Sequence, residues 1–354
     1  MASYKLTRGD KRFVSGLCKF FALNPEDHTP EKINEENNKP VDKKLARRYL
    51  LRGSGNISTQ TFVIPVSSGA VTGYLFVNRD VSDMSGLAPL IVYFHGGGWI
   101  HGNMDFYSIY LRYLAQETES NILLIDYHLA PKFKFPTAIE DCYDALLWAI
   151  DGAKYWKIDP DRIYIAGDGA GANLAAVASI LLRDRKGPTT AGQILLYPIV
   201  DCRLRTQSMM DYKDSPTLNE KMLNFYVKCY AREPKDILSP MFSPLLSPDL
   251  SRLPEALIIA AELDPLSDDA KLYGQALEEA GTKANVLIAK NALNGFMPFK
   301  HATGRMEAES AIWQFVNGRP VDHIKFLSKR DLKYYKSDIV ANKMNSNREE
   351  SQES

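Results

Sequence analysis

The chain carries no surplus of either charge. Lys and Arg number 43, Asp and Glu number 43, and the formal net charge is zero. Nothing global draws it to nucleic acid or to an anionic membrane. Cysteine is scarce, with Cys18, Cys142, Cys202 and Cys229 in 354 residues. No C-x-x-C pair occurs and no Cys/His spacing suits zinc, so the thiols read as free in a reducing compartment. Neither a metal nor another cofactor is expected. No apolar run reaches the ~20 residues that a membrane-spanning helix needs. The N-terminal stretch is charged throughout and Lys19 breaks its apolar run, so no secretory leader is expected. A cytoplasmic protein with no membrane span follows as the expectation. No internal repeat is present.

What is there is enough apolar sequence, 45% of the chain, for one large core with extensions. Residues 60–66 and 73–77 are short β-rich runs that read as a leading antiparallel pair. Unbroken apolar runs follow at 89–94, 121–126, 162–167, 192–198, 255–264 and 284–289. Such runs suit strands buried on both faces. Helical patterns lie between them at about 137–153, 172–185, 268–280 and 305–317. Strands alternating with helices predict an α/β protein with a mostly parallel sheet and helices on both faces.

Two segments stand outside this rhythm. Residues 202–235 are amphipathic and read as an insertion over the carboxyl edge of the sheet. In the N-terminal segment, Phe13, Val14, Leu17, Phe20 and Phe21 make an apolar helical stripe. Packing on the protein's own body is its expected role, because the stripe lacks a basic face to hold it on a membrane.

The motif "YFHGGGWIHGN" (93–103) directly follows a buried strand. Consecutive glycines let backbone N–H groups face one point, which can hold an oxyanion. A tight turn that needs glycine is the plainer alternative. His95 before the glycines and Trp99 after them give the HGGG pattern that some hydrolases place ahead of a nucleophile elbow, G-x-S-x-G. At 167–171 the elbow pattern reads Gly-Asp-Gly-Ala-Gly, with Gly169 where serine would stand. The same stretch reads as G-x-G-x-x-A of a dinucleotide-binding turn, but the acid that closes the next strand, Asp201, lies 34 residues past Gly167 and not the roughly 20 that fingerprint requires. Asp264 sits at a strand tip, where it either faces a site or caps the next helix, a task Ser267 and Asp268 could also perform. "NALNGF" (291–296) follows the last strand.

In order and spacing, "HGGGW", "DYHLAPKFKFPTAIEDCYDAL" (126–146), "SPLLSPDLSRLP" (243–254) and "AELDPLSDDA" (261–270) resemble the hormone-sensitive-lipase-like branch of the α/β-hydrolase fold. This is a carboxylesterase family that includes arylacetamide deacetylase-like members. The resemblance covers roughly residues 60–317. It implies an eight-stranded sheet, a helical cap and hydrolysis of small acyl esters. With its cap it gives a division into an N-terminal cap segment (1–55) and a hydrolase domain (56–330) with a cap insertion at about 202–235; the polar, unpatterned end (331–354) reads as a disordered tail. Carried over residue by residue, the oxyanion donors are the N–H groups of Gly96, Gly97, Gly98 and Ala170. The triad acid is Asp264, the nucleophile position is Gly169 and the base position is Asn294.

Glycine has no side chain to attack a carbonyl, and an amide neither accepts nor delivers a proton near neutral pH. The expectation is a catalytically degenerate esterase-like protein that binds a small acyl or carboxylate ligand. Asp168 reads as a trace of ancestry. Cys142 reads as a helix residue far from the elbow. His301 reads as a solvent-facing residue near a helix start. Two alternatives stay open: an ordinary carboxylic-ester hydrolase whose nucleophile and base were substituted, and an interaction scaffold that keeps the fold for its surface. The oligomeric state is left open.

Overall fold

The computed structural model describes residues 6–21, 29–53, 55–84 and 87–321. The expected tail at 331–354 lies outside them, as does the end of the expected 56–330 domain. The described residues form a sheet of eight strands: β1 (Ile57–Val66), β2 (Gly69–Asn78), β3 (Ala88–Phe94), β4 (Asn121–Asp126), β5 (Ile158–Asp168), β6 (Gly192–Leu196), β7 (Ala256–Ala261) and β8 (Ala284–Ala289). Their order is β1-β2-β4-β3-β5-β6-β7-β8. β1 and β2 form the expected antiparallel hairpin, in register from Ile57–Asn78 to Val66–Gly69. β2 runs antiparallel to β4, and the six strands from β4 to β8 are parallel. Every residue of β3 and of β7 is buried. That two-sided burial is why both read as continuous apolar runs and not as alternating ones.

The helices are α1 (Arg8–Phe20), α2 (Pro30–Asn38), α3 (Lys43–Tyr49), α4 (Arg79–Met84), α5 (Met104–Glu117), α6 (Thr137–Gly152), α7 (Ala170–Asp184), α8 (Gln207–Asp211), α9 (Glu220–Tyr230), α10 (Ser267–Glu279) and α11 (Arg305–Val316). α5 and α11 touch each other, and α6 touches α7. Alternation along the strands separates the two layers. Ile91 and Tyr93 of β3, with Ile122 and Leu124 of β4, join the core built by α1, α5 and α11. Leu90, Val92 and Phe94 point the other way, where α6 and α7 contact β3.

The sequence reading assigned no helix to 104–117. Its Tyr and Phe content favours strand by propensity, and burial overrides it. Asn103 caps α5 by accepting from Phe106 N at 3.0 Å, and Phe106, Tyr107, Tyr110, Leu111 and Leu114 are its buried stripe.

The apolar stripe of α1 packs on the body as expected. The Phe13 ring lies 4.9 Å from that of Phe299, and Phe20 lies 5.4 Å from Phe106. Backbone bonds tie the following segment to the loop after β8: Leu51 N donates to Pro298 O and Lys300 N to Tyr49 O, both at 3.0 Å. α8 and α9 occupy the expected insertion between β6 and β7. Trp99 stacks on Tyr230 of α9, with centroids 4.8 Å apart and planes at 9°. Among the described residues, no helix is long and apolar enough to cross a membrane.

Candidate active site

β4 and β5 flank β3 on opposite sides, so the loops leaving the carboxyl ends of β3 and β5 diverge and open a crevice. The glycine run forms one lip. Gly97 has φ 106° and Gly98 has φ 62°. A Cβ on Gly98 would strike the Tyr226 ring, so its hydrogen lets α9 approach the turn. Gly169 forms the other lip, at the junction of β5 and α7, with φ 53° and ψ −111°. A Cβ built on Gly169 meets nothing within 4 Å. Backbone conformation, not crowding, is what favours glycine there.

Asp264 and Asn294, far apart in sequence, are brought together. Asp264 follows the end of β7 and is fully buried. Its Oδ2 accepts from Asn294 Nδ2 at 2.8 Å, and its Oδ1 accepts from Leu266 N at 3.1 Å. Burial pushes its carboxyl up to about 7, against the pull of those two hydrogen bonds. The N-cap residue of α10, Leu266, has no capping side chain, and Ser208 Oγ accepts from Asp268 N at 3.1 Å in the first turn. Asp268 instead accepts from Ser208 N at 2.8 Å, and Ser267 Oγ is buried without a partner among the described residues.

Asp168 has more to do than its sequence neighbourhood suggested. Its Oδ1 accepts from Tyr93 Oη and from Gly96 N, both at 2.9 Å, and its Oδ2 accepts from Tyr107 Oη at 3.1 Å. Burial raises its carboxyl to about 6, opposed by these three donors. One bond corrects the expected oxyanion set: the Gly96 N–H is already engaged by Asp168. Gly97, Gly98 and Ala170 have no hydrogen bond to their N–H groups among the described residues. Burial lowers His95 to about 4, so its ring is neutral. Its Nδ1 lies 2.8 Å from Gly96 O, which fixes the proton on Nδ1 as donor.

Several of these groups line one cavity of about 880 Å³, part of it open to solvent, whereas Asp264, His95 and Gly96 stand behind its wall. Gly97, Gly98, Asp168, Gly169, Ala170 and Asn294 sit at its polar end. The aromatics that the sequence offers for its wall are Trp99, Phe106, Tyr107 and Phe225; the first three line it and Phe225 does not. Its neighbour Tyr226 does, with Met222 and Leu223, because these three form the buried face of α9. Leu17 and Phe21 complete the wall from the N-terminal helix. The apolar stripe of α1 carried that signal, but nothing in the sequence alone says which cavity a stripe faces. His301 lies in an exposed turn ahead of α11, and Cys142 is buried in α6. Among the described residues, no group of three or more His, Cys, Asp or Glu could hold a metal.

The family profile described as alpha/beta hydrolase fold matches residues 91–298. The chain is 42% identical over 193 residues to an arylesterase of Saccharolobus solfataricus, covering 54% of this chain and 63% of that one. It is 34% identical over 227 residues to the carboxylesterase NlhH of Mycobacterium tuberculosis, covering 61% and 71%. The matches to the arylesterase and to three further relatives span 58–65% of those relatives' lengths. Among solved structures, the esterase of Pyrobaculum calidifontis superposes with a TM-score of 0.69 at 29% identity, over 87% of this chain and 92% of that one. Strand order, the two glycine turns and these matches agree: the chain belongs to the hormone-sensitive-lipase-like alpha/beta hydrolase family, whose members include carboxylesterases.

Proposed function

We propose that this chain is a member of its family without serine hydrolysis, and that its pocket binds a small carboxylate or acyl ligand. One observation carries the reading. At the elbow between β5 and α7 stands Gly169, and the group hydrogen-bonded to the buried Asp264 is the amide of Asn294, 2.8 Å away. The relatives named as esterases cleave carboxylic esters. Here the elbow residue offers no oxygen to attack the carbonyl, and the residue beside the acid cannot take up the proton. In a serine protease, loss of the triad costs about a million-fold in turnover, while oxyanion donors and binding leave roughly a thousand-fold over water.

The remaining groups suit binding. The unoccupied N–H groups of Gly97, Gly98 and Ala170 line the cavity, and Ala170 opens a helix of 15 residues whose positive end favours an anion. Leu17, Phe21, Met222 and Leu223 give the apolar wall that an acyl tail needs. In this reading the N-terminal segment through residue 55 and the 202–235 insertion together form the cap over the pocket. Four free cysteines fit a reducing compartment, and with it a cytoplasmic location.

The test compares hydrolysis of short p-nitrophenyl esters by the native chain, by Gly169→Ser and by Gly169→Ser with Asn294→His, alongside thermal shift of the native chain with C2–C8 fatty acids. Background rates for the native chain and a melting temperature raised by a fatty acid are expected. Ester turnover by the native chain well above background would overturn the loss of hydrolysis. No response to any fatty acid would overturn the ligand class.

A further inference from the structure

On the side of α1 away from the acyl pocket lies a second concavity, independent of any reading of Gly169 and Asn294. Arg8, Lys11, Arg12 and Ser15 of α1, Arg48 and Tyr49 of α3, and His301 line it, and it encloses about 870 Å³ that opens to solvent. Four of the seven lining residues carry a permanent positive charge and none is acidic. All four are exposed, and none has an ion pair or hydrogen bond to its side chain among the described residues. The Arg48 guanidinium instead lies 5.4 Å from the centroid of the Tyr49 ring. This concentration is local, because the whole chain is neutral. It also corrects the sequence reading of α1 as lacking a basic face. Arg8, Lys11 and Arg12 stand just ahead of the apolar stripe in sequence, and only the fold brings Arg48 of α3 and the 300 turn beside them.

The cations sit on a fixed frame. Asp10, the acid on this helix, points into the body, where it accepts from Thr7 N and from Thr303 Oγ1 at 2.8 Å. A Cβ on Gly16 would meet the Tyr49 ring, so α1 and α3 are in close contact. Lys300 Nζ donates to Arg47 O at 2.8 Å and closes the turn onto α3. Like charges held together on a rigid frame cost free energy, and a polyanion removes that cost. Guanidinium groups match phosphate oxygens with paired donors, and each phosphate monoester brings up to about two negative charges where a carboxylate brings one. Four permanent charges exceed what one phosphate neutralises.

We propose that this concavity binds clustered phosphate groups, on a polyphosphorylated small molecule or on a polyphosphorylated lipid headgroup. The full chain is titrated with inositol hexakisphosphate at moderate salt, and sedimented with phosphatidylcholine vesicles with and without a few per cent of phosphatidylinositol bisphosphate. Arg12→Glu/Arg48→Glu is compared with a charge-matched control, Arg79→Glu/Lys213→Glu. Binding of the soluble probe, weakened about tenfold or more by the first pair and far less by the second, supports the proposal with a soluble source. Binding confined to the phosphoinositide vesicles, with the same dependence on Arg12 and Arg48, supports it with a lipid source. Binding of neither probe overturns it, as does equal weakening by both variant pairs. Polyglutamate bound as tightly as the hexakisphosphate also overturns it and points to an acidic protein. Melting temperatures check that both variants are folded.

Discussion

The side-chain amide of Asn294 donates to the buried carboxyl of Asp264 across 2.8 Å, so the acid keeps an oriented partner that moves no proton. An imidazole at position 294 meets the same acceptor from the same loop. Gly169→Ser alone gains a nucleophile without a base and is expected to stay near background on p-nitrophenyl acetate. Adding Asn294→His is expected to raise turnover by at least a hundred-fold over Gly169→Ser, the usual contribution of a positioned general base. Initial rates at pH 8 decide it, and a double variant no faster than Gly169→Ser would show that the pocket no longer seats an ester.

Gly169 occupies φ 53° and ψ −111°, and its missing Cβ faces open space. A side chain there meets conformational strain alone. Gly169→Ser and Gly169→Ala are both expected to lower unfolding free energy by about 1–3 kcal/mol. Gly171 is the contrasting case, since a Cβ there would collide with Phe94 O of β3. Gly171→Ala is expected to cost more than Gly169→Ala, although its φ lies outside the left-handed region. Urea denaturation of the three variants ranks them, and a Gly169→Ala variant as stable as the native chain would rule out a strained elbow.

The buried acid sets a pH dependence of stability. The folded state holds the Asp264 carboxyl at about 7, above its ordinary 3.8. The folded chain therefore binds the proton more tightly than the unfolded one. Its contribution is complete below about pH 4 and is lost as pH rises toward 7. Asp168 and Asp126, both raised by burial to about 6, act in the same direction over a narrower range. Asp264→Asn is expected to remove up to about 1.4 kcal/mol per pH unit of slope between pH 4 and 7. The slope of unfolding free energy against pH is the readout, whatever the absolute stability of the variant. An unchanged slope would mean that Asp264 titrates normally.

Tyr93 and Tyr107 hold Asp168 from two sides. Tyr107→Phe removes the only described donor to Oδ2 and is expected to cost about 1–3 kcal/mol. The loss falls more heavily on the ionised carboxyl, so the deficit is expected to be larger at pH 8 than at pH 5. Chemical denaturation at the two pH values measures it. A deficit equal at both would assign the effect to packing.

The middle of the sheet was legible because β3, β4, β6 and β7 are buried on both faces, and the run at 121–126 coincides with β4; the edge strand β8 is only partly buried, yet its apolar run at 284–289 coincides with it as well. The polar end of the cavity was legible in part, because the glycine turns at 96–98 and 167–171 each follow a buried strand and leave a linear pattern. Three things were hidden. α5 hid behind aromatic residues whose local preference is extended. The engagement of the Gly96 N–H by Asp168 depends on two strand ends 72 residues apart lying side by side. Tyr226 in place of Phe225 is a matter of helical phase, one residue in register, which only the packed position of α9 decides.

α1 presents Leu17 to the cavity beside Gly169 and Arg8, Lys11, Arg12 and Ser15 to the basic one. One thirteen-residue rod is thus a wall shared by two chambers. Any occupant of either chamber that restrains this rod has already met part of the entropic cost for the other. Binding equilibria coupled through a shared element are reciprocal: the factor by which a polyphosphate tightens a fatty acid is the factor by which the fatty acid tightens the polyphosphate.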